Sequence, residues 1–276
     1  MERFYIITNH LKDSNRKIAA RIQEYVESKG KICLFPNYEE EHWVIQDDIK
    51  DKIDCAIVIG GDGTLIQASR KLVFDNIPIL GVNLGTLGYL TEVEVQNIED
   101  AIEQLIAGEY TIEKRMMLYG KMKASKREIA LNDIIVSRKG HLRMIELNIY
   151  VNGEFLNSYQ ADGIIISTPT GSTAYSLSAG GPIIEPTAAM ILLTPICSHA
   201  LHKSSIVFSA GDEITIEVGE GRAGNEGVLV SFDGLEGAIL DVGEKIVIKR
   251  ARETAKLMKL SNTSFLEILR AKMKGN

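Results

Sequence analysis

The amino-acid sequence predicts two domains of different class, an N-terminal α/β domain followed by an all-β domain. The first prediction rests on short apolar segments that alternate with helical patterns over residues 1–108. The second rests on short segments of alternating polar and apolar residues, separated by turns, over residues 109–251. A helical pattern within residues 252–276 predicts that the chain returns to the first domain. The length of 276 residues suits two domains.

Strands and helices alternate through the N-terminal domain. Four apolar segments predict strands, namely Arg3 to Thr8, Ile32 to Phe35, Cys55 to Ile59 and Pro78 to Val82. Two helical patterns lie between the first three strands, one capped by Ser14 and ending near Gly30 and a weaker one over Trp43 to Ile53. Two more follow, one after residue 64 and one capped by Asn97 and stopped by Gly108. This alternation predicts a parallel, Rossmann-like sheet with right-handed crossovers.

Turn signals organise the second domain. The dipeptide Asn152-Gly153 separates two alternating segments within Glu146 to Gln160, which is a strong hairpin signal. A second hairpin is predicted over Ile206 to Val218, with its turn at residues 210–212. Further strands are predicted at Val228 to Phe232 and Lys245 to Lys249, which together indicate a β-sandwich-like domain. Ser264 begins the last helix as part of a capping box.

The glycine-rich turn Gly60-Gly61-Asp62-Gly63-Thr64 is the first candidate site. It joins a buried strand to a helix, and open α/β sheets bind ligands at the ends of such strands. Its glycines allow a phosphate to approach the backbone, and N–H groups at the helix start favour an anion. Asp62 then has three interpretations: it holds a metal ion, it takes a proton from an attacking hydroxyl, or it caps the helix of a structural turn.

A segment rich in hydroxyl groups and glycine is the second candidate site. Residues 167–182 carry these groups and follow the apolar segment Ile164 to Ile166. Side chains of this kind offer many hydrogen-bond donors and acceptors, which favours a loop that binds a polar ligand. The alternative is a long polar loop with helix caps.

Asn132 and Asp133 interrupt an apolar strand pattern, so their side chains need partners. Asparagine can bond to an adenine edge through two hydrogen bonds, and aspartate can accept from ribose hydroxyls. A bulge or turn is the alternative. Asp162, at another strand edge, is either a further site residue or a solvated carboxylate.

Composition and spacing argue against several classes of function. The net charge of −6 and the lack of a Lys/Arg run argue against nucleic-acid binding. No uninterrupted apolar stretch reaches about 18 residues, and no signal peptide precedes the first strand, so a cytoplasmic protein without a membrane partner is expected. Cys33, Cys55 and Cys197 are expected to be buried free thiols. The five histidines show no metal-ligand spacing.

Taken together, these segments resemble the NAD kinase family. The resemblance covers most of the chain, in the order that the family has, at Gly60 to Thr64, Gly81 to Tyr89, Leu131 to Asp133, Ala161 to Gly163, Thr168 to Pro182 and Leu193 to Cys197. A Gly-Gly-Asp-Gly loop also occurs in phosphofructokinases and in diacylglycerol and sphingosine kinases. The run Thr168 to Ser176 is much more specific to NAD kinases.

The resemblance implies that the terminal phosphoryl group of ATP is transferred to the adenosine ribose 2′-hydroxyl of NAD, which gives NADP and ADP. It implies that Asp62 is the base, that Asn132 reads the adenine and that Asp133 holds ribose hydroxyls. The implied phosphate-donor loop is Gly60, Gly61, Gly63 and Thr64. The implied NAD-binding residues are Asn132, Asp133, Arg143, Gln160, Asp162, Thr170, Thr173, Ala174, Tyr175 and Ser178.

The resemblance also implies a cofactor and an assembly. Mg²⁺ or another divalent cation is expected, held mainly by the nucleotide phosphates, with ATP as the phosphoryl donor. A homodimer or homotetramer is expected. In the family, the residue at the position of Asp162 faces the nicotinamide half of NAD, often across a subunit interface.

Three positions depart from the family pattern, Gln160, Ser204 and Leu235. They leave open the choice between NAD and NADH, as the sequence leaves open ATP against polyphosphate. One alternative function is a lipid or sphingoid kinase of the same superfamily, which would need an apolar acceptor pocket in place of the hydroxyl-rich segment. The other is a non-catalytic dinucleotide-binding sensor, which could lose its base, whereas Asp62 is present.

Overall fold

The computed structural model describes residues 1–9, 12–39, 42–44, 52–85, 88–123, 128–140, 144–199, 204–220 and 227–274. The chain divides into two compact units. The first unit comprises Met1–Lys114 and Ala255–Asn276, and the second unit comprises Arg115–Thr254. In the described part of the chain, no helix has the length and apolar character needed to cross a membrane.

The first unit is built on a parallel sheet. Its elements in chain order are β1 Arg3–Thr8, α1 Lys17–Ser28, β2 Ile32–Leu34, β3 Asn37–Glu39, β4 His42–Val44, β5 Cys55–Gly60, α2 Asp62–Leu72, β6 Ile79–Asn83, β7 Val93–Glu94 and α3 Ile98–Ala107. Strand β5 lies between β1 and β6, with β2 beyond β1 and β7 beyond β6, and all these pairs are parallel. The predicted α/β class of this part of the chain is confirmed.

The central strand β5 shows why this sequence forms a parallel sheet. All six of its residues are buried, because both faces of the strand are covered. Helix α2 follows it directly and buries Leu65, Ala68 and Leu72. These three residues recur at the spacing of one helix face, which places them against the sheet. Asp62 is thereby fixed at the point where the strand ends and the helix begins.

Two local predictions in the first unit are wrong, and a third is correct in position only. Trp43 lies in strand β4, which pairs with β3, and residues 45–51 of the predicted helical segment lie outside the described residues. Ser14 does not cap α1; the buried carboxylate of Asp13 accepts from the backbone N–H groups of Ile18 and Ala19 at 2.9 and 3.1 Å instead. Asn97 is the N-cap residue of α3, as predicted, but its side chain makes no capping hydrogen bond. Gly108 ends that helix with φ of 81°, as predicted.

The second unit is built from antiparallel strands. Its elements are β8 Thr111–Met122, β9 Glu128–Ala130, β10 Asp133–Arg138, β11 Ile145–Val151, β12 Glu154–Ala161, β13 Gly163–Ser167, α4 Tyr175–Ser178, β14 Met190–Ile196, β15 Ile206–Ser209, β16 Ile214–Val218, β17 Val228–Phe232, β18 Leu235–Leu240 and β19 Lys245–Lys259. One sheet has the order β15-β14-β13-β10-β17-β18. In the other, β12, β11, β16 and β19 are neighbours in that order, and β8 pairs with β19 and β9.

The two sheets of the second unit share one hydrophobic core. It includes Ile134, Val136, Ile164 and Ile166 from the first sheet and Leu147, Ile149, Ile216 and Ile246 from the second. Buried residues alternate with more exposed ones along β11, β16 and β17, which is the pattern that the sequence shows there. Strand β13, by contrast, is buried at all five positions. The predicted β-sandwich-like class is confirmed.

The turns of the second unit give one confirmed prediction, one wrong prediction and one omission. Asn152 and Gly153 have φ of 52° and 85° and connect β11 to β12 as a hairpin. The predicted hairpin over Ile206 to Val218 does not form, because β15 pairs with β14 while β16 pairs with β11 and β19. Asp233 and Gly234, with φ of 51° and 79°, form a hairpin turn between β17 and β18 that the sequence analysis did not use.

The sequence places the domain divisions after residues 108 and 251, whereas the units divide after Lys114 and Thr254. Each division falls within a strand, β8 or β19, so no linker marks it. Helix α5, Phe265–Met273, follows β19 and belongs to the first unit. Its capping box is confirmed, since Ser264 and Glu267 each accept from the other's backbone N–H.

The three cysteines are free, as predicted, but only Cys55 is fully buried. Cys55 is buried and Cys33 is half-buried, and burial raises the pKa of each thiol to about 12. Cys197 is exposed, contrary to the prediction. It follows β14 in a left-handed conformation with φ of 48°.

Candidate active site

The glycine-rich turn is fixed by contacts that include residues outside the predicted site. Thr64 lies in the first turn of α2, and its hydroxyl accepts from the side-chain amide of Asn9 at 3.2 Å. Asn9 follows β1, and its backbone N–H donates to Ile59 of β5 at 3.0 Å. The ammonium of Lys12 lies 3.5 Å from the position that a Cβ on Gly61 would take. A cation beside the N-terminus of a helix favours an anion there.

Asp62 does not act as the cap of its own helix. Its two carboxylate oxygens accept from the backbone N–H groups of Tyr89 and Leu90, at 2.8 and 3.1 Å. These donors belong to the loop that follows β6, and a Cβ on Gly88 would overlap the carboxylate. Burial, and to a smaller extent the charge of Asp62, raise the pKa of Tyr89. The carboxylate is therefore oriented by a loop from a neighbouring strand.

The loop after β6 is itself ordered by side chains. Asn83 is buried, donates to the backbone carbonyl of Gly85 at 2.6 Å and accepts from its N–H at 3.2 Å. The hydroxyl of Thr91 accepts from the backbone N–H of Gly88 at 3.1 Å. Residues 86 and 87 lie outside the described residues. These bonds fix the loop whose backbone N–H groups, those of Tyr89 and Leu90, donate to Asp62.

In the second unit, Asn132 lies in the turn between β9 and β10, and Asp133 is the first residue of β10. This Leu131–Asp133 turn is tied to two other segments. The carboxylate of Asp233 accepts from the backbone N–H groups of Leu131, Asn132 and Asp133, at 2.8, 2.7 and 3.2 Å. Thr168 bonds to the carbonyls of the same turn, with its hydroxyl on Leu131 at 2.6 Å and its N–H on Asn132 at 2.8 Å. The predicted residues therefore belong to a turn held on both sides.

The two side chains of this turn have different environments. The Oδ1 atom of Asn132 is buried and has no hydrogen-bond partner within the described structure. Asp133 is 4% exposed. Burial, and to a smaller extent the nearby Asp233, raise the pKa of Asp133 to about 7. A buried acceptor without a donor, such as Asn132 Oδ1, and a carboxyl group with a pKa near neutrality, such as Asp133, are typical of a site that binds a polar ligand.

The hydroxyl-rich segment folds as a short 3₁₀ turn, Thr170–Thr173, followed by α4. Thr170 and Ser172 are buried and bonded within the unit: Thr170 accepts from Arg115 at 3.3 Å, and Ser172 donates to the Pro169 carbonyl at 2.7 Å. Ser176 and Thr194 share a buried hydrogen bond of 2.9 Å. Many hydroxyls of the segment therefore maintain its own fold.

The remaining members of the segment are available to a ligand. Thr173 and Ala174 are half-buried, and Tyr175 and Ser178 are exposed. The start of the segment contacts the Asn132 turn, because a Cβ on Gly171 would overlap the Asn132 carbonyl. The fold thus brings the second candidate segment and the Asn132–Asp133 pair together, although about 40 residues separate them in the sequence.

Asp162 lies apart from that cluster. Strand β13 separates it from Thr168, a distance of roughly 20 Å at about 3.3 Å per residue. Its carboxylate accepts from Arg138 Nε at 2.8 Å, an ion pair that the sequence analysis missed.

The other predicted rim positions that the structure describes belong to different elements or to segments between them. Gln160 is an exposed residue of β12, opposite Glu146 of β11. Ser204 is exposed, and Leu235 is 48% exposed at the start of β18. Arg143 lies outside the described residues.

Asn9, Lys12, Arg115, Thr168 and Asp233 are residues that the sequence analysis did not assign to the site. Only two of them carried a sequence signal. Asp233 precedes a glycine between two β segments, and Thr168 lies within the hydroxyl-rich run. The others are single polar residues whose roles follow from tertiary contacts.

These features define a class of protein before any comparison. The first unit presents one carboxylate beside an anion-binding turn at the end of a central strand. The second unit presents an unpaired amide oxygen suited to a base edge, beside a carboxyl group suited to ribose. Phosphoryl transfer to a nucleotide is the chemistry that fits both.

Comparison with known proteins then assigns the family. The ATP-NAD kinase N-terminal domain matches residues 7–110, and the ATP-NAD kinase C-terminal domain matches residues 131–260. The chain is 49% identical to the NAD kinase of Agathobacter rectalis over 282 residues, which cover 100% of this chain and 99% of that protein. It is 44% identical to the NAD kinase of Lachnospira eligens over 293 residues, with 99% and 100% covered. The chain therefore belongs to the NAD kinase family, a family of phosphotransferases.

Solved structures agree with this assignment. Yeast NADH kinase complexed with NADH aligns with a TM-score of 0.87 and 25% identity, covering 100% of this chain and 88% of that chain. An NAD kinase from Archaeoglobus fulgidus in complex with ATP shares the fold, with a TM-score of 0.77 at 23% identity and 99% and 98% coverage. The lipid-kinase and sensor alternatives are not favoured by these comparisons.

Proposed function

We propose that this chain transfers the terminal phosphoryl group of ATP to the adenosine ribose 2′-hydroxyl of NAD, with Asp62 as the base. The observation that carries the proposal is the Asp62 carboxylate, held by two backbone N–H groups beside the glycine-rich turn. Each oxygen accepts one N–H bond and keeps acceptor capacity for a substrate hydroxyl. A base placed in this way contributes about 10²–10⁴-fold to the rate.

We propose that the phosphates of the donor lie along Gly60, Gly61, Gly63 and Thr64. The N-terminus of α2 and the adjacent Lys12 ammonium support an anion at this position. In-line placement and charge neutralisation, more than covalent help, are what phosphoryl transfer requires of a protein.

A divalent cation, Mg²⁺ by preference, completes the proposal. The donor set of the turn consists of backbone amides, one hydroxyl and the Asp62 carboxylate, and within the described residues no group of three His, Cys, Asp or Glu side chains is gathered for a metal. This set fits a hard cation held mainly by nucleotide phosphates. When bound, the cation neutralises charge on the transferred phosphoryl group. Asp62 remains the residue that accepts the proton from the 2′-hydroxyl.

NAD recognition is proposed for the second unit. Asn132 Oδ1 accepts from the adenine amino group, and ionised Asp133 accepts from ribose hydroxyls. Two observations support this: Asn132 Oδ1 is buried without a hydrogen-bond partner in the described part of the chain, and Asp133 is buried. The remaining proposed contacts are Arg143, Gln160, Asp162, Thr170, Thr173, Ala174, Tyr175 and Ser178.

We also propose a homodimer or homotetramer and a cytoplasmic location. The position of Asp162, a strand length away from Asn132, supports a role for it in a second copy's nicotinamide pocket. The burial of Cys55 supports a thiol kept reduced.

The deciding experiment measures NADP formation from NAD, ATP and Mg²⁺ by the wild type and by Asp62→Asn. We expect the variant to turn over at least about 10²-fold more slowly while its Kd for NAD changes little. Asp100→Asn, which removes a first-turn carboxylate from α3, is the matched control and should keep wild-type turnover. Near-normal turnover of Asp62→Asn would remove Asp62 from the base role, and a well-folded wild type without any NADP formation would overturn the proposed function.

A further inference from the structure

The backbone of the Leu131–Asp133 turn is held on its donor side by one carboxylate. Asp233 accepts from all three consecutive N–H groups of this turn, at 2.7 to 3.2 Å. In return, the backbone N–H of Asp233 donates to the Asp133 carbonyl at 3.0 Å. Asp233 is the first residue of the β17–β18 hairpin turn and has φ of 51°. The β17–β18 hairpin therefore positions the Asp233 carboxylate that binds the backbone of the Leu131–Asp133 turn.

Thr168 holds the same turn on its acceptor side. The Thr168 hydroxyl donates to the Leu131 carbonyl, and its N–H donates to the Asn132 carbonyl. The hydroxyl also accepts from the backbone N–H of Gly171 at 3.1 Å. Thr168 is fully buried, so these bonds are shielded from water. The peptide groups on both sides of Asn132 are consequently fixed.

The Asn132 side chain is therefore carried by a backbone segment that hydrogen bonds hold in place. Asn132 Oδ1 is buried and has no hydrogen-bond partner among the described residues, while the backbone that carries it is bonded on both sides. A buried acceptor without a donor is costly unless a ligand supplies the donor. A recognition side chain discriminates best when its supporting shell locks its position.

A turn-forming role alone does not account for Asp233. Aspartate before glycine is favoured in hairpin turns through its own backbone conformation. That preference does not require the carboxylate to bind three N–H groups about 100 residues away in the sequence. Asp212 is another turn aspartate of this unit, and its carboxylate bonds to the N–H of Ser209 three residues before it and to the Asn152 amide.

We propose that Asp233 and Thr168 are positioning residues that lock Asn132 for adenine, and that this clamp makes the enzyme discriminate adenine from hypoxanthine in its dinucleotide substrate. The inference rests on the proposed function and adds the base specificity of the same site. Asn132 Oδ1 accepts from the adenine 6-amino group while its amide donates to N7. Hypoxanthine carries an oxygen in place of the amino group, so two acceptors face each other.

The test compares kcat/KM for NAD with kcat/KM for nicotinamide hypoxanthine dinucleotide. The wild type should prefer NAD by about 10-fold or more. In Asp233→Asn, an amide N–H replaces one acceptor and faces a backbone N–H, so the turn shifts. We expect the preference to fall below about 3-fold, mainly because KM for NAD rises while kcat changes less. Asp212→Asn, the same chemical change at another turn, should keep the wild-type preference.

A second pair of variants, at Thr168, tests the same proposal in case Asp233→Asn does not fold. Thr168→Val removes the hydroxyl at nearly constant volume and should lose the preference, whereas Thr168→Ser keeps the hydroxyl and should retain it. If wild-type preference persists in Thr168→Val and in folded Asp233→Asn, the clamp has no role in base recognition. A wild type that makes NADP but does not distinguish the two dinucleotides overturns this inference alone. A wild type that makes no NADP overturns the proposed function, and Kd values for the two dinucleotides then decide the clamp.

Discussion

At the scale of single residues, two carboxylates of this chain have different surroundings and different proposed roles. Asp62 is partly exposed and bonded to two backbone N–H groups of a loop. Asp133 is nearly fully buried and lies near a second carboxylate, Asp233. Desolvation and like charge both disfavour ionisation, which is why the pKa of Asp133 rises to about 7. The protonation state of Asp133 therefore changes within the physiological range.

This pKa predicts a pH dependence for NAD binding. Ribose hydroxyls donate best to the ionised carboxylate, and the ionised fraction of Asp133 grows as the pH rises through about 7. Affinity should therefore increase from pH 6 to pH 8, by about tenfold if binding requires the ionised form. Calorimetric titration of NAD alone, without ATP, measures this change. Affinity that stays flat in the wild type, or that increases on acidification, would contradict it.

The control for this prediction is Asp133→Asn. An amide does not titrate, so the variant should bind NAD with the same reduced affinity at both ends of the range. Asp233→Asn removes the smaller of the two causes of the raised pKa while burial remains. The rise in affinity should therefore move to lower pH without disappearing.

At the scale of elements, the loop after β6 determines where the proposed base points. Its backbone supplies both N–H donors to Asp62, and Asn83 and Thr91 order the loop around them. The loop and α2 belong to neighbouring parallel strands, whose carboxyl ends meet at one edge of the sheet. The sequence contained this loop as a glycine-rich motif, but its bonds to Asp62 follow only from that juxtaposition.

Two glycines of this loop form a matched pair for testing its role. In Gly88→Ala the new Cβ overlaps the Asp62 carboxylate, so we expect NADP formation to fall by about 10²-fold, as for loss of the base. In Gly85→Ala the new Cβ meets no atom within 4 Å, so near-wild-type turnover is expected. Steady-state kcat, with far-UV circular dichroism as a check of folding, distinguishes the two. Equal effects of both substitutions would mean that the loop does not act through Asp62.

At the scale of the whole molecule, the first unit is not complete until the chain returns to it. Leu257 pairs with Ile79 of β6, and Leu257 and Met258 are buried. Glu92 forms an ion pair with Lys259 and accepts from the N–H groups of Leu260 and Ser261, at 3.1 and 2.9 Å. Helix α5, by contrast, has no buried residue. The buried residues of the returning segment are therefore Ala255, Leu257 and Met258, whereas residues 261–264 are exposed and the last helix contributes no buried residue.

Two truncations test this division of roles. A chain that ends after Thr254 loses Leu257 and Met258, worth about 1.5–3 kcal/mol each, against a total stability of about 5–15 kcal/mol. We expect its first unit to be unfolded or strongly destabilised in urea titrations followed by circular dichroism. A chain that ends after Ser264 should unfold near the wild-type midpoint, because no residue of α5 is buried and only Phe265, Ile268 and Leu269 are half-buried. Equal midpoints for both truncated chains would show that the returning strand is not part of the core.

The sequence by itself determined the two fold classes, the glycine-rich turn with Asp62, and the Asn152-Gly153 hairpin, because each depends on neighbours within a few residues. Tertiary structure alone decided that residues 206–218 connect two sheets, since the turn signal is the same for both outcomes. It also decided which hydroxyls of residues 167–182 form hydrogen bonds within the second unit. The same packing brought Asp233 and Thr168 into contact with the turn that carries Asn132. Periodicity reports the face on which a residue lies, whereas a partner about 100 residues away depends on how strands pair and sheets pack.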